Sequence, residues 1–153
     1  EVHRAVLGAR SPVLNAMFSQ EGLREGSERQ WVITDATPET VEALLRYMYI
    51  GEVADDCEHA ALLRLADQYQ VEGLPEICAD AILQGISADT VVPALCCLRT
   101  YRGNSSLALA YERLLASIQN DRELLRVVAN AVVQETDLAD PNVANCHPPE
   151  QQG

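Results

Sequence analysis

The side chains able to carry proton transfer, nucleophilic attack or metal ligation are few and scattered along this chain. Cys57-Glu58-His59 and Cys146-His147 come nearest to metal ligation. A structural zinc site needs four ligands, usually arriving as closely spaced pairs, and neither fragment has the spacing of such a pair. His3 lies in an apolar stretch with no nucleophile or orienting carboxylate close in sequence. It reads as a packed histidine satisfying a backbone group rather than as a proton-transfer group. Asp67, between Ala66 and Gln68, suits either a catalytic carboxylate or a hydrogen-bond acceptor of the fold, and no second acid pairs with it at a meaningful spacing. The chain has no glycine-rich phosphate loop ending in Lys-Ser/Thr, no His-Glu-x-x-His and no Gly-x-Ser-x-Gly elbow, which removes several common enzyme classes. The expectation is no catalytic residue, no metal and no enzymatic activity.

Leu23-Arg24-Glu25 is more informative. It places one apolar side chain, followed two positions on by an acid, in the polar stretch 19–29, which also holds Gly22 and Gly26. Leu23 inserted into a partner's groove with Glu25 making a directed polar contact is one reading of that pattern; Leu23 folded back onto its own domain is the other. Charge bears on the class of partner. Eleven Lys+Arg against 23 Asp+Glu leave a net charge of −12 over 153 residues. Such a surface repels phosphate backbones and anionic lipid, so neither nucleic acid nor membrane is an expected partner. No run of about eighteen apolar residues occurs, and no signal-peptide order. Five cysteines, an odd number without small-scaffold spacing, read as reduced thiols of a cytoplasmic or nuclear protein.

The elements that would position these residues follow from periodicity. Val2, Ala5, Val6 and Ala9 predict a short helix over 2–9. Ser11-Pro12 restarts the chain as cap and first-turn proline, with Val13, Leu14, Met17 and Phe18 directed inward. Trp31-Val32-Ile33, aromatic and β-branched, predicts a strand at 31–34 that must pair with strands elsewhere. Helices follow at 38–48, capped by Thr37 and stopped at Gly51, then at 57–69 and 74–84. Helical spacing continues through Val91 to Leu98 and Leu107 to Ile118, and a last helix opens on Asn120 with Glu123 as a capping box. Beyond 136 the periodicity is lost, and 137–153 reads as a disordered tail.

These segments, in order, resemble the BTB/POZ family. The resemblance is carried by His3-Arg4-Ala5-Val6-Leu7, Arg10-Ser11-Pro12-Val13-Leu14, Ala16-Met17-Phe18, Trp31-Val32-Ile33-Thr34-Asp35, Val41 to Tyr49, Gly51-Glu52-Val53 and Leu62 to Tyr69, with Val71, Leu74 and Cys78 beyond. It covers residues 2–84 and implies an α+β fold, a helical core flanked by a small sheet, with neither cofactor nor catalytic site. Residues 85–136 resemble, more weakly, the BACK-like helical extension that follows such domains in adaptors. Two positions depart from the family: Leu14 and Val41 stand where phenylalanine is more usual.

The family's N-terminal helix and first strands, which form much of its dimer interface, have no counterpart in 1–84. The chain therefore reads as a fragment, and the homodimer is expected of the full-length protein. The function implied is that of a substrate adaptor in a cullin-RING ubiquitin ligase, bridging a substrate protein to the cullin. In such adaptors an apolar-any-Glu motif enters the cullin, so the resemblance assigns that role to Leu23 and Glu25, with Tyr49, Asp67 and Tyr69 completing the face. The alternative is a self-associating scaffold or transcription co-repressor module that engages no cullin.

Overall fold

The computed structural model describes residues 3–19, 31–54 and 56–138. Two short helices open it, α1 (Arg4–Arg10) and α2 (Pro12–Ser19). Ser11 separates them in an extended conformation, and its Oγ accepts the Leu14 N–H at 3.0 Å while donating to the carbonyl of Tyr69. One hydroxyl thus caps α2 and ties it to a residue 58 positions away. Leu7 and Leu14 are fully buried, and Val13, Met17 and Phe18 pack partly against the core, as their spacing requires.

Helix α3 (Pro38–Ile50) begins where Thr37 Oγ1 accepts the Thr40 N–H at 3.3 Å. It buries Thr40, Ala43, Leu44, Tyr47 and Met48, one face of a 3.6-residue repeat. Gly51 ends it in the left-handed region, φ 79°, returning its N–H to the Tyr47 carbonyl. Helix α4 (His59–Gln68) buries Leu62, Leu63, Leu65 and Ala66, and α5 (Leu74–Gln84) buries Leu74, Cys78 and Ala79. The turn between them is tight: Val71 N–H reaches the Ala66 carbonyl at 2.8 Å, Gln70 has φ 49° and Gly73 φ 78°. A Cβ on Gly73 would stand 3.0 Å from Tyr47 Oη, which bonds the adjacent Glu72 carbonyl at 3.2 Å, so only glycine suits both backbone and neighbour.

Three further helices, α6 (Val91–Thr100), α7 (Ala108–Asn120) and α8 (Arg122–Leu138), complete the described residues. α6 packs on α5, α7 and α8, and α7 on α5 and α8. Val91, Leu98, Leu107, Leu114, Ile118 and Leu124 join the same continuous core as Leu7, Leu44 and Leu62. Arg113 and Asp80 close an exposed bridge between α7 and α5 at 2.7 Å, worth below about 1 kcal/mol.

Two expectations are corrected. The α+β class is overturned: the described residues are helical and irregular, with no strand and no sheet. Residues 31–34 do alternate in burial, with Trp31 and Ile33 half-buried and Val32 66% exposed. Alternation is a property of one segment, whereas a sheet requires a second segment's amides and carbonyls alongside, and none of the described residues provides them. Side-chain burial holds this segment instead. The second correction concerns the last cap. Asn120 is the final residue of α7, and Asp121 caps α8, its Oδ1 accepting from Glu123 N at 2.8 Å and Leu124 N at 3.3 Å.

Ser11→Ala removes the α2 cap and leaves a buried carbonyl without that donor. Destabilisation of about 1–3 kcal/mol is expected in urea unfolding, with helical content unchanged before the transition. Asp121→Ala is expected to cost about 0.5–2 kcal/mol by losing the α8 cap.

Candidate protein-docking surface

Tyr69 stands at the C-terminal end of α4, 8% exposed, and three elements meet on it. Its carbonyl takes the Ser11 hydroxyl. Its phenol oxygen accepts the Trp31 indole N–H at 3.3 Å, and the two rings meet edge to face, 5.0 Å between centroids at 87°. That pair combines an aromatic contact with a polar one and fixes where the chain re-enters the core after residue 30. The start of α2 and the segment beginning at Trp31 are therefore both anchored to the end of α4.

The five docking candidates fall into three groups. Leu23 and Glu25 lie outside the described residues, although the chain on either side of them, at Ser19 and Trp31, is placed. Tyr69 is buried, so its side chain acts on the anchoring of Trp31 rather than on the surface. Tyr49 and Asp67 are exposed, in different surroundings. Tyr49 Oη accepts the His3 backbone N–H at 2.6 Å, lies 3.2 Å from His3 Nδ1, and the rings meet at 6.1 Å. His3 is itself exposed, not packed in an apolar elbow as its neighbours in sequence implied: the polar ring faces the rim of α3. Asp67 borders an open groove with Pro12, Gln70 and Asn104.

Trp31 and Ser11 are the positioning residues that sequence reasoning undervalued. Trp31 was legible only as a strand residue and Ser11 only as a cap, since their common partner is 38 and 58 positions away.

Cys78 is fully buried and Cys57 and Cys97 partly so, while Cys96 is exposed; all four are free thiols, and Cys146 lies outside the described residues. Burial pushes the Cys78 thiol up to about 12, with Cys57 and Cys97 adding to the effect. Among the described residues, no three of His, Cys, Asp and Glu are placed to hold a metal ion, and no helix is long and apolar enough to cross a membrane.

Residues 1–86 match the model of the BTB/POZ domain. The chain belongs to the BTB/POZ family. It is also similar to TD and POZ domain-containing protein 5 of Mus musculus, 32% identical over 96 residues, which is 61% of this chain and 28% of that protein. The chain thus spans under a third of the length of that relative. The BTB/POZ match ends at 86, within two residues of the end of α5, and α6 to α8 follow it as a helical extension.

Trp31 is the single tryptophan, so its emission reports the anchor directly. Tyr69→Ala is expected to shift that emission to longer wavelength and to cost about 3–5 kcal/mol, the range for a buried aromatic truncated to alanine. Cys78 gives a second prediction. Its folded value is raised, so its contribution to stability is fully present below the ordinary value of 9.0 and is lost as pH rises towards about 12. The fall in melting temperature between pH 8.5 and 10.5 is expected to be shallower in Cys78→Ala, whatever that variant's starting stability.

Proposed function

We propose that this BTB/POZ protein is a non-enzymatic substrate adaptor of a cullin-RING ubiquitin ligase. The observation that carries the proposal is the double anchoring on Tyr69. The segment bearing Leu23-Arg24-Glu25 begins after α2, which starts at the Ser11–Tyr69 bond, and ends at Trp31, which packs on the Tyr69 ring. The motif therefore follows a helix whose first turn is anchored at Tyr69 and precedes Trp31, which packs on the same residue at the end of α4, where Asp67 is exposed. Such anchoring limits the conformational entropy lost when Leu23 enters a hydrophobic pocket and Glu25 pairs on its rim. Tyr49 and Asp67 complete the face as exposed polar contacts, and Tyr69 acts as a positioning residue.

Transfer of ubiquitin takes place on other components. The adaptor raises the effective concentration of substrate lysines near the charged ubiquitin carrier. In this reading substrate recognition and dimerisation belong to the full-length protein, the adaptor works in the cytoplasm or nucleus, and the helical extension lengthens the cullin face beyond residue 86.

The test is calorimetric titration of the purified protein with the cullin N-terminal domain. Leu23→Asp combined with Glu25→Lys is expected to weaken binding at least tenfold while circular dichroism stays the same. Equal affinity in the double variant would contradict the proposed site.

A further inference from the structure

All of the 11 Lys+Arg side chains in this sequence are arginines; it contains no lysine. Lysine is among the commonest residues of soluble domains, and at an exposed helical position it matches arginine in helix propensity and in charge. A choice made the same way at every position calls for a physical reason. Either each guanidinium makes a contact that an ammonium cannot, or the chain excludes the amine.

The placement of the arginines decides between the two. Arg10 on α1, Arg46 on α3, Arg64 on α4, Arg99 on α6, Arg113 on α7 and Arg126 on α8 are all exposed. Arg113 reaches Asp80 through a nitrogen–oxygen contact of 2.7 Å and Arg46 lies 3.6 Å from Glu52, with more than half of each of these four side chains open to solvent. A point charge serves such bridges equally well, and each is worth below about 1 kcal/mol. Arg64 acts on the Cys97 thiol and the Tyr101 phenol through its charge, which an ammonium would also supply. Arg4 is different: its guanidinium lies over the Phe18 ring, 5.1 Å from the centroid, a contact that favours the planar group. Packing thus accounts for the guanidinium at Arg4 and leaves it unexplained on the exposed helix faces. What separates the two side chains there is reactivity. A neutral lysine amine is a nucleophile, whereas a guanidinium, which deprotonates only above about pH 12, is not.

Under the adaptor reading, on which this inference rests, the difference has a direct use. Ubiquitin reaches its acceptor as a thioester on the carrier's cysteine. A neutral lysine amine attacks the thioester carbonyl, the C–N bond forms, the C–S bond breaks, and the departing thiolate takes up the proton that the amine loses. An adaptor stays beside the carrier throughout, whereas a substrate is there only while bound, so exposed amines on the adaptor would meet the thioester at high effective concentration. We propose that the arginine-only surface of these 153 residues makes this part of the adaptor inert to its own ligase and so directs transfer to the substrate. The exposed arginines keep the charge and helix propensity of lysine without offering an acceptor.

The test restores the amine. Arg10→Lys, Arg113→Lys and Arg126→Lys, singly and together, keep the charge at three exposed positions on three helices, so folding is expected to be unchanged by circular dichroism. Each protein is incubated with the cullin, its RING component, activating enzyme, carrier, ubiquitin and ATP. Attachment sites are mapped by mass spectrometry, with the α-amine of the chain counted apart from side chains. The original protein is expected to carry no ubiquitin on its side chains. The triple variant is expected to carry at least tenfold more side-chain ubiquitin than the original protein, all of it on introduced lysines, and the single variants identify which helix the carrier reaches. Calorimetric titration with the cullin N-terminal domain accompanies each reaction and separates the two readings. A protein that fails to bind cullin contradicts the adaptor reading itself. A triple variant that binds cullin as the original does and yet remains unmodified, or an original protein modified on serine, threonine or cysteine as fully as the triple variant, would overturn this inference alone.

Discussion

The convergence of Ser11, Trp31 and Tyr69 is the constraint on which the rest of the BTB/POZ part depends. A hydroxyl from the α1–α2 junction, an indole from the segment after residue 30 and the end of α4 meet at one residue. Each contact is modest alone, roughly 0.5–1.5 kcal/mol for a net hydrogen bond or an aromatic pair. Their importance lies in what they close: chain separations of 58 and 38 residues, fixed at the same point. The remaining tight geometry of this region, the left-handed Gln70 and Gly73 and the bond from Tyr47 to Glu72, holds the same turn from its other side.

The helices were readable from sequence because their signals are local. Thr37-Pro38 begins α3 and Gly51 ends it, Pro75 sits in the first turn of α5, and the apolar faces recur at three and four residues throughout. The sheet failed as an expectation because strand pairing is not local: Trp31-Val32-Ile33 carries the composition and alternation of a strand, but the partner that would make it one is not encoded in those residues. The last cap was misplaced by a single position because Asn120 and Asp121 are both good caps and only backbone geometry distinguishes them. At the candidate docking surface, the family resemblance implied Tyr69 as part of the face, and what the sequence did not show is that its side chain is buried against Trp31.

The helical extension is not an appendage tethered to the BTB/POZ part. Cys78 and Ala79 of α5 lie in the same core as Leu98, Leu107 and Leu114, and α5 touches both α6 and α7. A core shared across residue 86 means that the match to the BTB/POZ model ends where no physical boundary exists.

Hydrogen–deuterium exchange of the protein alone and with the cullin N-terminal domain tests the central claim most directly, because it reads every backbone amide at once. If the Tyr69 junction carries the docking segment, complex formation protects residues 20–31 together with the α4–α5 turn, the two regions changing in step. Protection confined to surfaces away from both, or no protection at saturating cullin, would contradict the account.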